Sequence, residues 1–230
     1  MERHFDQELG ALKQKLLTMA SHAETAVNQS VQALVSRDHD LALRVKDNDR
    51  VLDQFEIEID DLAIHLLAKA PLASDLRLVT VAMKISQNLE RIGDEAAKIA
   101  KRARDLSAEP PLALAGDLPT MAALALSMLK SAVDSFVSRD PAAARALIPR
   151  DKQVNALHKE IQRVLTRQME TDPDTVRRCL HWIIAAKCLE RIADHAKNVA
   201  EEVVYLCEAQ DIRHTDKATT RQTHPGAESP

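Results

Sequence analysis

Aromatic side chains are nearly missing from this chain. Phe5, Phe55, Phe136, Trp182 and Tyr205 amount to 2% of 230 residues. Sheets favour aromatic and β-branched residues, so this scarcity argues against a β-built core. Glycine is also scarce, with four in the whole chain, while Ala, Leu, Glu, Lys and Arg dominate. That composition predicts helices. The three cysteines, Cys179, Cys188 and Cys207, form no Cys-x-x-Cys motif. They read as reduced thiols in a cytosolic protein rather than a disulfide framework. The opening MERHFDQEL has no apolar run suited to a signal peptide, and no stretch approaches 18 uncharged apolar residues. The expectation is therefore a cytoplasmic protein without a membrane span. A basic footprint is absent too: net charge is −4, which speaks against nucleic-acid binding. The local cluster Lys98, Lys101, Arg102 and Arg104 reads as a solvated helix end, where cations complement the helix dipole. Finally, there is no phosphate loop, no Gly-rich turn and no recognisable Ser/His/Asp spacing. The sequence gives little support for catalysis.

What the chain does have is helical periodicity. Phe5, Leu9, Leu12, Leu16, Met19, Ala23, Val27, Val31 and Leu34 form one seam of a long first helix. Asp38 is placed to cap a second helix that runs to Lys69 and carries Val45, Leu52, Phe55, Ile59, Leu62 and Leu66. Pro71 ends it. A third helix is predicted over residues 74–104, with Leu76, Val79, Met83, Ser86 and Glu90 on one stripe. The Pro-rich stretch 106–117, with Gly116-Asp117, reads as a linker. The pattern then restarts. A fourth helix covers 118–138. Asp140-Pro141 opens a fifth that runs to Glu170, and Asp172-Pro173 opens a sixth that runs to Ala209. Residues 210–230 are polar and aperiodic and read as a disordered tail.

The two halves match in register. Val35-Ser36-Arg37-Asp38 recurs as Val137-Ser138-Arg139-Asp140, an offset of 102, and Pro71 recurs as Pro173. Beyond that breaker the offset is 100: Arg77 matches Arg177, and LERIGD at 89–94 matches LERIAD at 189–194. The prediction is an all-α protein of two tandem antiparallel three-helix bundles, residues 1–105 and 118–209, related by internal duplication.

Each third helix sets Glu and Asp four residues apart, as Glu90/Asp94 and Glu190/Asp194. Like charges at that spacing destabilise a helix by roughly 0.2–0.5 kcal/mol. In helix six the stripe Val176, Leu180, Ile183, Lys187, Glu190 and Asp194 carries the acids onto the bundle-facing side. The second helix of each half adds Asp49/Asp53, which the offset of 102 maps onto Asp151/Asn155. Carboxylates gathered from adjacent helices repel unless a cation joins them, and oxygen-only donors suit Mg²⁺, Ca²⁺ or Mn²⁺; carboxylate bundles also hold iron. The competing reading is ordinary surface pairing, for which Arg91 stands three residues before Asp94. A carboxylate-bridged metalloenzyme is the other alternative, but no Glu has a His three residues on, as di-iron bundles require. His195 follows Asp194, yet Glu95 occupies the matching place. It is expected on the polar surface or supporting the acids, while His158 and His181 read as structural.

These residues carry a resemblance. DLRLVTVAMKISQNLERIGD, LERIGDEAAKIAKR and CLERIADHAKNVAEEVVYL, with the duplicated three-helix pattern, are similar to the PhoU family over residues 3–209. The resemblance implies a cytoplasmic regulator of bacterial phosphate uptake and a negative regulator of the phosphate-starvation response. Such proteins connect the phosphate ABC transporter ATPase to a sensor histidine kinase, and they commonly form homodimers. The resemblance further implies metal ions (Mg, Mn, Fe, Ca or Zn) held by Glu90, Asp94, Glu190 and Asp194, with Asp49, Asp53, Asp151 and Asn155 as additional ligands. Asn155 departs from a strict acidic pair.

Overall fold

The computed structural model describes residues 2–69, 72–112 and 117–213. Among them there are helices and turns and no strand. The order is α1 (Glu2–Ser36), α2 (His39–Leu67), α3 (Ala73–Ser107), α4 (Leu118–Ser138), α5 (Pro141–Leu147), α6 (Asp151–Thr171) and α7 (Val176–Glu208). Short 3₁₀ turns join α5 to α6 at Ile148–Arg150 and precede α7 at Pro173–Thr175. Residues 70, 71 and 113–116, and the proposed tail from 214 onward, lie outside the described residues.

The helix starts follow the capping logic of the sequence. The Asp38 carboxylate accepts the amide of Leu41 at 2.9 Å. Asp140, its duplicate, accepts the amides of Ala142 and Ala143 at 2.9 and 3.0 Å, with Pro141 at the first helical position. Each such cap contributes about 1 kcal/mol. The residue before each cap is left-handed, Arg37 at φ 60° and Arg139 at φ 52°. A non-glycine residue there is uncommon. Arg37 is held by its guanidinium, which donates to the carbonyls of Leu106, Ser107 and Glu109 and so fastens the first bundle to the start of the linker. Arg178 does the same from α7, reaching the carbonyls of Pro110 and Pro111 at 3.4 and 3.3 Å.

α1, α2 and α3 pack together as one bundle, and α4 to α7 as the second. The seam of α1 is buried through Leu12, Leu16, Met19, Ala23, Val27 and Leu34. α3 is the link: one side faces α1 and α2, the other faces α7. Arg102 meets His181, Asn88 meets His195, and Lys84 meets Glu202, so α3 and α7 run antiparallel. α4 has the length and hydropathy of a membrane span, yet it is a bundle helix, buried at Met121, Ala125, Met128, Leu129 and Ala132 against its neighbours.

Two sequence expectations need correction. The fifth helix is not continuous to Glu170. It stops at Leu147, and Ile148–Arg150 forms a 3₁₀ turn before α6 starts. Pro149 explains the break: it lacks an amide donor and its ring crowds the preceding turn. The stripe assigned to the last helix is also out of phase. Val176, Leu180 and Lys187 are exposed, whereas Cys179, Trp182, Ala186, Leu189 and Ala193 are buried. In α3, Leu76 is likewise exposed, while Val79 and Ser86 are buried. The acids of both helices therefore stand at the margin of the buried face.

Candidate functional site

In the first half the acids converge because the two helices approach closely. At Gly93, an added Cβ would sit 2.3 Å from Leu52 Cδ1 and 3.5 Å from Asp49 Oδ1. The missing side chain lets α2 settle on α3, which brings Asp49 beside Asp94. Burial raises the Asp49 carboxyl above its ordinary range; Asp94 and Asp53 add to this and Lys98 opposes it. Glu90 is pushed up to about 6, first by burial, then by Asp94, with Arg91 opposing and Glu56 and Asp53 adding smaller repulsions. Asp49, Asp53, Glu90 and Asp94 thus occupy one electrostatic neighbourhood.

That neighbourhood holds two acids sequence reasoning missed, Glu56 and Asp60. Burial raises Glu56, and Asp60, Asp53 and Asp94 reinforce it against Arg91. Their signal was available: 49, 53, 56 and 60 advance by four, three and four, one continuous helical face. Arg91 is the resident counter-charge. Its Nε lies 3.3 Å from Glu90 and its Nη1 3.3 Å from Asp94. Glu90 Oε2 still has no hydrogen-bond donor although it is buried.

In the second half, Asp151 is 8% exposed at the start of α6. Asn155 Nδ2 donates to its Oδ2 at 2.9 Å, while its Oδ1 has no donor. Asp194 is raised to about 6, first by burial, then by Asp151 and Glu190, with Lys197 opposing. Glu190 is paired with Lys187 on the same helix. His158, also unforeseen at this place, lies near Glu190 and Lys187, and its imidazole is lowered below the ordinary range chiefly by burial. All eight acid or amide positions read from the sequence therefore fall into two groups, one per half. Among the described residues, no three His, Cys, Asp or Glu side chains converge into a ready-made metal cage. Carboxylate oxygens, the donors that hard cations take, predominate in both groups, and Asp151 Oδ1 is buried without a donor.

A different polar cluster joins the bundles. Glu95 is 5% exposed on the α3–α7 contact. Burial pushes its carboxyl up, but bonds from Lys98, Cys188 and Arg191 outweigh it and hold the group ionised. Lys98 donates at 2.9 Å and Arg191 at 3.2 Å. His195 is not a surface group. It is half-buried in the same contact, its Nδ1 2.9 Å from Asn88 Oδ1. His181 sits beside Arg102, as a structural residue would. The Glu95–Cys188 contact and the Asn88–His195 contact are exchanged by the offset of 100, so the two bundles meet about an approximate two-fold axis.

The fold and the site define a duplicated all-helical bundle protein with an acidic face in each half. Comparison with protein families matches the PhoU domain to residues 16–103 and 118–203. The chain belongs to the PhoU family. It is 39% identical over 204 residues to the phosphate-specific transport system accessory protein PhoU homolog of Rhizobium meliloti (strain 1021), covering 88% of this chain and 86% of that protein. It superimposes on the crystal structure of PhoU from Pseudomonas aeruginosa with a TM-score of 0.86 and 37% identity, over 90% of this chain and 100% of that one. The phosphate transport system regulatory protein PhoU from Streptococcus pneumoniae gives a TM-score of 0.85 at 29% identity, over 90% of this chain and 99% of that one.

Proposed function

We propose that this protein is a cytoplasmic regulatory accessory of a phosphate transport system, acting by contact rather than by catalysis. The observation that carries the reading is the extent of the likeness: nearly the whole chain aligns with accessory and regulatory proteins of phosphate transport. On this reading the partners are the transporter ATPase and a sensor histidine kinase, the oligomer is a homodimer, and the output is repression of the phosphate-starvation response. The acidic faces serve to bind divalent or iron ions, with Glu90, Asp94, Asp49 and Asp53 in the first half and Glu190, Asp194, Asp151 and Asn155 in the second. Burial and then carboxylate repulsion raise Glu90 and Asp194 to about 6, and a bound cation would relieve the repulsive part. It would also fix the register of each bundle's second helix on its third.

Two measurements test this. Affinity capture from membranes of phosphate-replete cells should retain the transporter ATPase, and removal of the gene should derepress a phosphate-starvation reporter. A reporter that stays silent in the deletion strain refutes the regulatory reading. For the metal, the Glu90→Ala/Asp94→Ala variant should lose metal retained by the purified chain; undiminished retention refutes that ligand assignment.

A further inference from the structure

The approximate two-fold that relates the bundles also relates two cavities at their junction. In the first, Val35, Arg37 and Leu106 are joined by Pro110, Pro111 and Leu112 of the linker. In the second, their copies Val137, Arg139 and Leu206 are joined by Lys13, Leu17 and Leu78. The two differ in what the arginine holds. Arg37 spends its guanidinium on the carbonyls of Leu106, Ser107 and Glu109, in the segment that leaves α3. The matching carbonyls after α7 belong to Leu206, Cys207 and Ala209. Among the described residues, none of these and no carboxylate meets the guanidinium of Arg139. Ala209 instead turns left-handed at φ 57°, and Arg213 returns to Glu202 at 3.1 Å.

A second cation stands beside Arg139. Lys13 lies on the part of α1 that runs beyond the duplication, since Leu118 at the start of α4 matches Leu16. It is partly buried, and no acid pairs with it among the described residues. Burial and then Arg139 lower its ammonium below the ordinary range, so the two cations repel one another. The nearby carboxylates are engaged elsewhere: Asp140 caps α5, and Glu208 holds Arg145. The cavity that both cations line has a volume of about 80 Å³, well above the roughly 10–15 Å³ that one water needs.

We infer that Lys13 and Arg139 form a binding site for a small tetrahedral oxyanion, and that its ligand is inorganic phosphate. A guanidinium fork and an ammonium point charge are donors suited to phosphate oxygens. An anion held between them offsets their repulsion and gives Arg139 the acceptor that Arg37 finds in the linker. Apolar walls at Leu17, Leu78, Phe136 and Leu206 lower the local dielectric and strengthen both contacts. These walls come from α1 and α3 of one bundle and α4 and α7 of the other, so occupancy ties the bundles together. The choice of phosphate among oxyanions rests on the regulatory reading above; capture of an oxyanion at this junction does not.

Equilibrium dialysis of the full chain against radiolabelled inorganic phosphate, at an ionic strength fixed with NaCl, tests the inference. Lys13→Gln/Arg139→Gln should weaken saturable uptake at least about tenfold, the effect of removing unit charges in contact with an anion at a partly solvated site. Lys101→Gln/Lys152→Gln removes two exposed cations elsewhere and should leave uptake unchanged within about twofold. Equal losses in the two variants, no loss in the first, or no saturable uptake by the unaltered chain overturns the site. The pair offers donors only, so sulfate should displace phosphate; failure to do so overturns the assignment to this pair. ADP should bind no tighter than phosphate, and tighter binding of ADP overturns free phosphate as the ligand.

Thermal melting separates binding from folding. Phosphate should raise the Tm of the unaltered chain above its value in NaCl of equal ionic strength, and Lys13→Gln/Arg139→Gln should lose that rise. Without phosphate this variant should melt no lower than the unaltered chain, because it sheds a like-charge contact. A lower Tm there shows the two cations to be structural and overturns the inference. A starvation reporter that stays silent in the deletion strain refutes the regulatory reading and leaves these binding results standing.

Discussion

Replacing Gly93 by alanine should destabilise the first bundle, although the same change in most helices does the opposite. In a helix interior, Gly→Ala is favourable by about 1 kcal/mol. Here the new methyl would lie 2.3 Å from Leu52 Cδ1, well inside contact distance, and Leu52 is 2% exposed, so its side chain must repack within the core. Overpacking of this kind costs about 1–3 kcal/mol. The net expectation is a loss of about 1 kcal/mol, which in a chain of this size lowers the Tm by roughly 2–4 °C. The duplicate half supplies the control. Gly93 and Leu52 correspond to Ala193 and Val154, both fully buried, so the second half has moved one carbon from α6 to α7. Leu52→Val alone should cost about 1 kcal/mol for the lost methylene and the gap it leaves. The double variant should return close to the unaltered stability, because each change makes room for the other. A double-mutant cycle read by urea unfolding should therefore show a coupling of about 1–3 kcal/mol. If Gly93→Ala raises the midpoint, or the two changes add without coupling, the close approach at Gly93 is not what sets the spacing of α2 and α3.

Three further outcomes follow from the same geometry. Glu90 and Asp194 hold their protons to about pH 6, against ordinary values of 4.5 and 3.8. The folded chain binds more protons than the unfolded chain between those values, so metal-free stability should fall as pH rises from about 4 to 6. In Glu90→Gln/Asp194→Asn the slope should flatten; an unchanged pH–Tm profile contradicts the assignment. Glu95→Ala leaves Lys98 and Arg191 without their shared acceptor and should lower stability by about 2–3 kcal/mol, measured as a shift in urea midpoint; a change below about 0.5 kcal/mol would show the inter-bundle contact to be replaceable. Asp38→Ala and Asp140→Ala each remove one helix cap and should each cost about 1 kcal/mol by thermal melting, whereas unequal losses would mean that one helix start is held by other contacts.

Much of this architecture could be read before any coordinates. The register between Val35-Ser36-Arg37-Asp38 and its copy at 137–140 carried the duplication, and both aspartates proved to be caps. Four-residue spacing pairs Glu90 with Asp94 and Asp49 with Asp53 on one face of each helix, whereas the meeting of the two pairs depends on the approach of α2 to α3 at Gly93. What escaped was set by tertiary contact. Pro149 breaks an otherwise periodic stretch, and apolar periodicity alone does not register such a break. The phase of α7 was misjudged because its exposed side carries Val176, Leu180 and Ile184, which look like a core stripe, while its buried side is largely small: Cys179, Ala185, Ala186 and Ala193. Glu95 could not be recognised as buried, since Arg191 and Cys188 lie almost a hundred residues away and only the packing of α3 on α7 brings them near.

That packing has a consequence for how the molecule can change. When two identical subunits meet about a dyad, every contact is made twice by the same pair of residues, and one mutation alters both ends together. Here the subunits have been fused, and the two ends are separately encoded. One end has become Asn88 with His195, the other Glu95 with Cys188. Fusion has released a symmetric partnership from the duty to stay symmetric, so each end can be tuned while the other keeps the halves joined.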